Sequence, residues 1–197
     1  MSKTRKGSQA RLLLLVGDMY GLNCTSNERR LSILEKLRRF GWDLTLVGID
    51  RVVQPCRFGQ ERGAPPLRVD CLVCEIEDVS SYDGISILPG PVHAGLIHSP
   101  EALALLRRAA SAGLVLSSWC RGTRVLAAAN VIRGKKVVGH PADQEAIEKA
   151  GGIYLGQDCP PVIDGRLVTG ARSYAYRAKM AEAIRAAIRE RAATLPR

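Results

Sequence analysis

Aromatic residues are scarce in this chain of 197 residues: two Phe, two Trp and five Tyr. Nucleic-acid readers stack rings on bases, and the sequence carries no recognised nucleic-acid motif either. The net charge of +10 therefore describes a solvated basic surface with no nucleic-acid partner beyond non-specific binding. The distribution of charge agrees, since Arg29-Arg30, Arg38-Arg39, Arg107-Arg108 and Lys135-Lys136 are scattered. Long hydrophobic runs are missing too. No apolar stretch approaches the ~20 residues that span a bilayer, so no membrane partner is expected. The basic start from Met1 to Lys6 runs straight into a strand, with no signal-type segment. The expectation is a cytoplasmic protein with reduced cysteines. Also absent are internal repeats, a Gly/Ser-rich linker, a dinucleotide G-x-G-x-x-G and a P-loop. Cys71-x-x-Cys74 has redox spacing but lies in an extended segment, and no second pair completes a zinc set. No metal and no cofactor are expected.

What is present is an alternation of apolar strands and amphipathic helices. The run Leu12-Leu13-Leu14-Leu15-Val16 reads as a strand covered on both faces, as in a parallel sheet. A helix capped by Thr25, Ser26 or Asn27 follows, through Gly41. Strands are expected over 43–49, 84–88, 112–117 and 136–138, and helices over 100–112, 123–129, 142–150 and about 174–191. Asp164-Gly165 between apolar residues reads as a tight hairpin turn. This pattern predicts an α/β three-layer sandwich, a mostly parallel sheet with helices on both faces. Residues 1–10 form a basic extension and 11–193 a single domain. The apolar residues of 51–77, among them Val52, Val53, Leu67, Val69, Leu72 and Val73, exceed the needs of one short strand. A twofold dimer is expected to cover them.

The most informative segment is Ser118-Trp119-Cys120-Arg121-Gly122, between an apolar strand and a helix. A nucleophile elbow turns so sharply that the flanking positions take small residues. The bend would lift Cys120 to the strand's carboxyl end, with the Arg121 N–H aimed at the substrate side of the sulfur. A helix N-terminus favours negative charge, so the thiol pKa is expected to fall below the free value of ~8.5.

Several segments together resemble the ThiJ/PfpI superfamily, the class I glutamine amidotransferase-like proteins. Tyr82 to Gly90 resembles its strand ending in L-P-G-G. Leu126 to Lys135 resembles the L-A-x-A-G-L-L-x-G-R run that follows the elbow cysteine. Gly139-His140-Pro141 resembles a T-H-P segment, and Val162 to Thr169 the V-x-D-G-x-L-I-T hairpin. The resemblance implies a flavodoxin-like fold, Cys120 as nucleophile and His140 as its neighbour. It also implies an acid near the first helix, for which Glu28 is the first choice and Asp18 the fallback. Gly90 would border the oxyanion, yet Pro91 stands where the family's second glycine donates an N–H, and proline has none. A rebuilt loop could bring His93 near the thiol. Trp119 is bulky for its place and implies an altered pocket.

Two functions follow from the resemblance. One is a cysteine-dependent hydrolase or lyase acting on a small electrophilic substrate, a reactive carbonyl or glycated group, in the manner of a glyoxalase, deglycase or intracellular protease. The other is a redox or stress sensor, or a chaperone-like protein, that keeps the fold without efficient turnover. Relatives assemble as dimers or hexamers, so a homo-oligomer is implied. A true glutamine amidotransferase is disfavoured, because no histidine follows His140.

Overall fold

The computed structural model describes residues 9–25, 32–91 and 93–194. The chain runs β1 (Arg11–Leu15), β2 (Met19–Tyr20), α1 (Ile33–Arg38), β3 (Asp43–Gly48), β4 (Val52–Pro55), α2 (Arg57–Gln60), β5 (Leu67–Arg68), β6 (Cys71–Leu72) and β7 (Gly84–Ile87). It continues through α3 (Ala94–His98), α4 (Pro100–Ser111), β8 (Val115–Trp119), α5 (Gly122–Ala128), β9 (Lys136–Val137), α6 (Gln144–Lys149), β10 (Ile153–Tyr154), β11 (Val162–Asp164), β12 (Leu167–Gly170) and α7 (Ser173–Thr194).

The central sheet has seven strands in the order β11-β12-β8-β7-β1-β3-β6. Every neighbouring pair is parallel except the hairpin β11–β12. Gly165 begins that hairpin's two-residue turn at φ 63, a backbone that glycine adopts at no steric cost.

The uninterrupted leucine run of β1 is explained by helices on both faces of the sheet. Leu13 and Leu15 pack with Leu105 and Leu106 of α4 and Val125 and Leu126 of α5. Leu12 and Leu14 pack with Ile33 and Leu37 of α1 and Ile184 and Ile188 of α7. All four β1 leucines are at most 1% exposed, and each buried leucine contributes roughly 1.5–3 kcal/mol. The strand is therefore fixed on both sides, and the loop leaving its carboxyl end starts from a rigid point.

Two expectations are corrected. Ser32 caps α1: its Oγ accepts the Glu35 N–H at 3.1 Å, and Glu35 Oε2 accepts the Ser32 N–H at 2.7 Å. This reciprocal capping box, absent from the sequence reading, starts the helix later than a cap at 25–27 would. The apolar excess of residues 51–77 is mostly used within the chain. Val53, Val69 and Val73 are buried in the two cores, Leu67 and Leu72 pack against one of them, and Val52 alone of the six is exposed. The short strands β4 and β5 build a small separate sheet with β2, which supplies the pairing that irregular segment needs. Among the described residues, no helix is long and apolar enough to cross a membrane.

Candidate active site

The carboxyl ends of β1, β7, β8 and β12 converge on the turn between β8 and α5. Cys120 occupies that turn at φ 54, in the left-handed region that costs an L-residue roughly 1–2 kcal/mol. Its N–H donates to Gly170 O at 2.7 Å, so β12 holds the strained residue in place. The small flanking residues have identifiable tasks. A Cβ on Gly122 would come within 2.9 Å of Ile87 Cγ2, so only glycine lets α5 start this close to β7. Ser118 is fully buried, and its hydroxyl is 2.8 Å from Thr123 Oγ1, which itself donates to Val138 O at 2.9 Å.

Cys120 is half-buried, and the Arg121 N–H bonds to its sulfur. That amide lowers the thiol pKa, but burial outweighs it and the nearby Asp143 carboxylate adds to the upward push. The net direction is up from 9.0, against the expected fall. Here α5 is only seven residues long and offers the sulfur one amide, which is too little to offset desolvation.

Arg121 is the best-anchored side chain at the elbow. Its Nε and Nη2 meet the two oxygens of Asp143 at 3.1 and 2.8 Å, a bidentate pair, and Nη1 donates to Pro91 O at 3.3 Å. Asp143 has no exposed side-chain surface, and Arg124 Nη1 adds a longer contact to it at 3.5 Å. Asp143 and Arg124 were missed in the sequence. The only signal was an acid three residues after His140, in a turn that leads into α6.

His140 lies on the segment that Thr123 ties to the elbow, and Tyr154 Oη supports it by donating to Gly139 O at 3.2 Å. Its Nδ1 accepts the Ala142 N–H at 3.2 Å, so this ring caps its own turn, and Nε2 has no partner among the described residues. Of the two candidate acids, Glu28 lies outside the described residues. Asp18 receives the Gly95 N–H on both carboxylate oxygens, at 3.0 and 3.1 Å, and so is committed to the start of α3.

Gly90 is buried, and a Cβ there would meet Met19 O at 2.2 Å. Pro91 is exposed, with no N–H to give and its carbonyl held by Arg121. Trp119 does not shape a pocket. It is 1% exposed, packs with Leu12, Leu14 and the α7 side chains, and donates its indole N–H to Ser86 Oγ at 3.1 Å. Alternation along β8 explains this, since Val115 and Trp119 share the face that looks toward α1 and α7.

His93 comes to the site as the sequence allowed. It is 4% exposed, and neither ring nitrogen has a hydrogen-bond partner among the described residues. Gly17, after β1, makes room for it, because a Cβ there would stand 2.3 Å from Nδ1. Burial pushes the ring pKa down to about 4, with Asp18 and Asp143 opposing and Arg121 reinforcing that shift. Beside the elbow lies a cavity of about 130 Å³, lined by Pro91, His93, Ala94, Ile97, His98, Arg121 and Arg124.

The sequence matches the DJ-1/PfpI family over residues 28–186, most of the chain. The chain belongs to the DJ-1/PfpI family. Protein DJ-1 homolog D of Arabidopsis thaliana is 33% identical over 96 residues, a match that spans 47% of this chain and 24% of the plant protein. A ThiJ/PfpI domain protein from Brachyspira murdochii superposes with a TM-score of 0.76 at 14% identity, covering 93% of this chain and 99% of that one. A two-domain protein of Anabaena variabilis, with DJ-1/ThiJ/PfpI-like and ferritin-like domains, gives 0.75 at 21% identity over 90% of this chain and 48% of its own. At these identities the solved structures speak for the fold, the flavodoxin-like α/β sandwich of a family that includes enzymes.

Proposed function

We propose that this DJ-1/PfpI protein is a cysteine-dependent enzyme acting on small reactive carbonyl compounds or glycated groups, with Cys120 as nucleophile. The observation that carries the reading is the backbone of Cys120. A strained φ of 54, held by β12 and set beside a cavity, is a cost that packing alone does not require. With an α-oxoaldehyde such as methylglyoxal, the thiol adds to the aldehyde carbon. A carbon–sulfur bond forms, the π electrons move to oxygen, and the thiol proton follows to give a thiohemiacetal. A histidine then moves a proton from that carbon to its neighbour, giving a thioester. Water releases the 2-hydroxy acid and restores the thiol. Since Cys120 is mostly the neutral thiol at pH 7, it needs a base at the moment of attack. His140, through its Nε2, is the residue assigned to that task.

Methylglyoxal consumption by the pure protein, with Cys120→Ala measured beside it, tests this. Wild type is expected to turn over and the variant to lose at least a hundredfold. Equal rates remove the reading.

One observation favours a second reading, a sensor that keeps the fold without efficient turnover. Pro91 supplies no N–H to a developing oxyanion, and one such donor is worth roughly 10²–10³ in rate. In that case mild peroxide adds two oxygens to the intact chain at Cys120 while methylglyoxal turnover stays negligible. An oxygen adduct that survives Cys120→Ala defeats it. A homo-oligomer also remains part of the proposal, and sedimentation at micromolar concentration tests it, a purely monomeric mass being the contrary result.

A further inference from the structure

We infer that the cavity beside the elbow binds a carboxylate, so that Cys120 receives small α-oxo acids at lower concentrations than neutral dicarbonyls of the same size. This rests on Cys120 as the attacking group and adds the part of the substrate that is recognised.

The walls of the cavity carry charge of one sign. Arg121 and Arg124 line it, while Asp143, the acid that pairs with both, has no exposed side-chain surface. A ligand therefore meets guanidinium groups and not the carboxylate behind them. The two arginines are not equivalent. Arg121 is fixed by its bidentate pair and by Pro91 O, so it holds a place. Arg124 makes one contact at 3.5 Å, is 45% exposed, and has most of its five N–H donors free for a planar anion. Asp18, the other acid near this wall, spends both oxygens on the Gly95 N–H and is not among the lining residues.

His93 supplies the second, independent observation. A side chain 4% exposed, with both ring nitrogens unpartnered among the described residues, stands in the cavity wall. Native proteins rarely leave buried polar atoms unmatched, and a nitrogen pair left so in a cavity wall is available to a ligand. Burial holds the ring neutral at pH 7, so it offers one N–H and one acceptor nitrogen instead of a third charge. That combination suits a carbonyl or hydroxyl oxygen next to a carboxylate held by Arg124. It also puts a neutral N–H donor close to where Pro91 withholds one.

Size narrows the class. A cavity of about 150 Å³ holds a benzene ring, so about 130 Å³ holds five or six non-hydrogen atoms. Glyoxylate and pyruvate are of that size. With glyoxylate the chemistry stops at addition. The thiol adds across the aldehyde, sulfur to carbon and proton to oxygen, and no second carbonyl remains to receive a proton shift. Glyoxylate is therefore a reversible occupant, and no electrons leave or enter.

The test uses the full chain and two readouts that need no turnover. The first is the rate of Cys120 alkylation by iodoacetamide in the presence of glyoxylate, glyoxal or inorganic phosphate. Glyoxylate is expected to protect Cys120 at concentrations at least tenfold below glyoxal, with phosphate ineffective. Arg124→Gln and His93→Phe are each expected to raise the glyoxylate concentration needed by tenfold or more. Equal protection by glyoxal and glyoxylate, or an unchanged requirement in Arg124→Gln, overturns the inference. Protection by phosphate as good as by glyoxylate overturns the α-oxo acid assignment. The second readout is calorimetry of glyoxylate on Cys120→Ala, where no covalent step is possible. Binding that weakens tenfold when Arg124→Gln is added supports the pocket even if methylglyoxal is never consumed. Identical heats with and without that second change reject the pocket even if methylglyoxal is consumed.

Discussion

Asp143 and His93 are buried titratable side chains on opposite flanks of the same elbow, 1% and 4% exposed, and the structure treats them in opposite ways. Both oxygens of Asp143 are bonded to Arg121, and Arg124 stands behind. Neither nitrogen of His93 has a hydrogen-bond partner among the described residues. An unmatched buried polar atom costs roughly 1–3 kcal/mol, whereas a matched one is close to neutral or better. The α6 flank is therefore finished as structure, and it fixes where Arg121 and the segment bearing His140 stand. The α3 flank is left open at a cost, and the inferred carboxylate pocket accounts for it. Cys120 lies between them and feels both the Asp143 carboxylate and the Arg121 guanidinium.

The largest expected effect tests the finished flank. Asp143→Ala leaves Arg121, whose side chain is 30% exposed, without its partner. Breaking a buried pair by removing one member costs about 3–5 kcal/mol, and the partial exposure of Arg121 places the expected loss near the lower end, about 3 kcal/mol. Urea denaturation measures it. His93→Phe, which removes two unmatched nitrogens and keeps the ring's bulk, is expected to stay within about 1 kcal/mol of wild type at pH 7. Equal losses for the two variants would break the comparison.

The open flank has a pH signature whose sign follows from the direction of the His93 shift. The folded pKa is pushed down to about 4 from 6.5, so between these values the unfolded chain binds the extra proton. Stability is complete above pH 6.5 and falls as the pH drops toward 4. Integrated over that window at 1.36 kcal/mol per unit, the loss is about 3 kcal/mol. Urea midpoints at pH 7, 6, 5 and 4 read it, and in His93→Phe this component is expected to vanish. An acid loss of the same size in the variant assigns it to other groups.

How much of this the sequence disclosed depended on how local each feature is. The elbow was legible because its parts are consecutive: an apolar strand, small residues at Ser118 and Gly122, then a helix. The hairpin at Gly165 was legible for the same reason. The α/β sandwich followed from the leucine run of β1, which makes sense only with both faces covered. The Arg121–Asp143 pair was not legible, because its members lie 22 positions apart in the chain and only folding brings them together. The fate of Trp119 needed the register of β8, which alternation settles only once the inward face is known. The thiol pKa was misjudged for a related reason. A helix N-terminus can be read from sequence, but the desolvation that outweighs it is a property of the packed chain.

Two thiols at this end of the sheet differ in burial and should differ in reactivity. Cys24 is fully buried, donates to Pro89 O at 3.4 Å, and burial pushes its pKa up to about 12. Cys120 is only half-buried, and the Arg121 N–H tempers its rise from 9.0. Iodoacetamide should label Cys120 at a rate that climbs about tenfold per pH unit from 7 to 9, because the thiolate is the reactive form. Cys24 should stay at least a hundredfold slower throughout, as peptide mapping would show. Asp143→Ala removes a carboxylate that raises the Cys120 pKa, so the profile should move to lower pH. A wild-type rate that levels off below pH 8 would mean a depressed pKa and reverse the ranking of burial over the helix amide.

The smallest expected effect concerns the strain at Cys120 itself. With φ at 54, any side chain at this position carries the left-handed penalty of roughly 1–2 kcal/mol, and glycine carries none. Glycine also loses more backbone freedom on folding, which returns roughly 0.5–1 kcal/mol of that gain. Cys120→Gly and Cys120→Ala both delete the sulfur, so the difference between them isolates the Cβ. The glycine variant is expected to be the more stable by about 0.5–1 kcal/mol, read as a rise in urea midpoint at unchanged slope. Neither variant should consume methylglyoxal, which separates the backbone's contribution to stability from the thiol's contribution to chemistry. If alanine proves as stable as glycine, the turn is not strained. The open α3 flank would then be the only cost built into the site, and Cys120 would owe its exposure to the path of the sheet and not to a conformation held for reactivity.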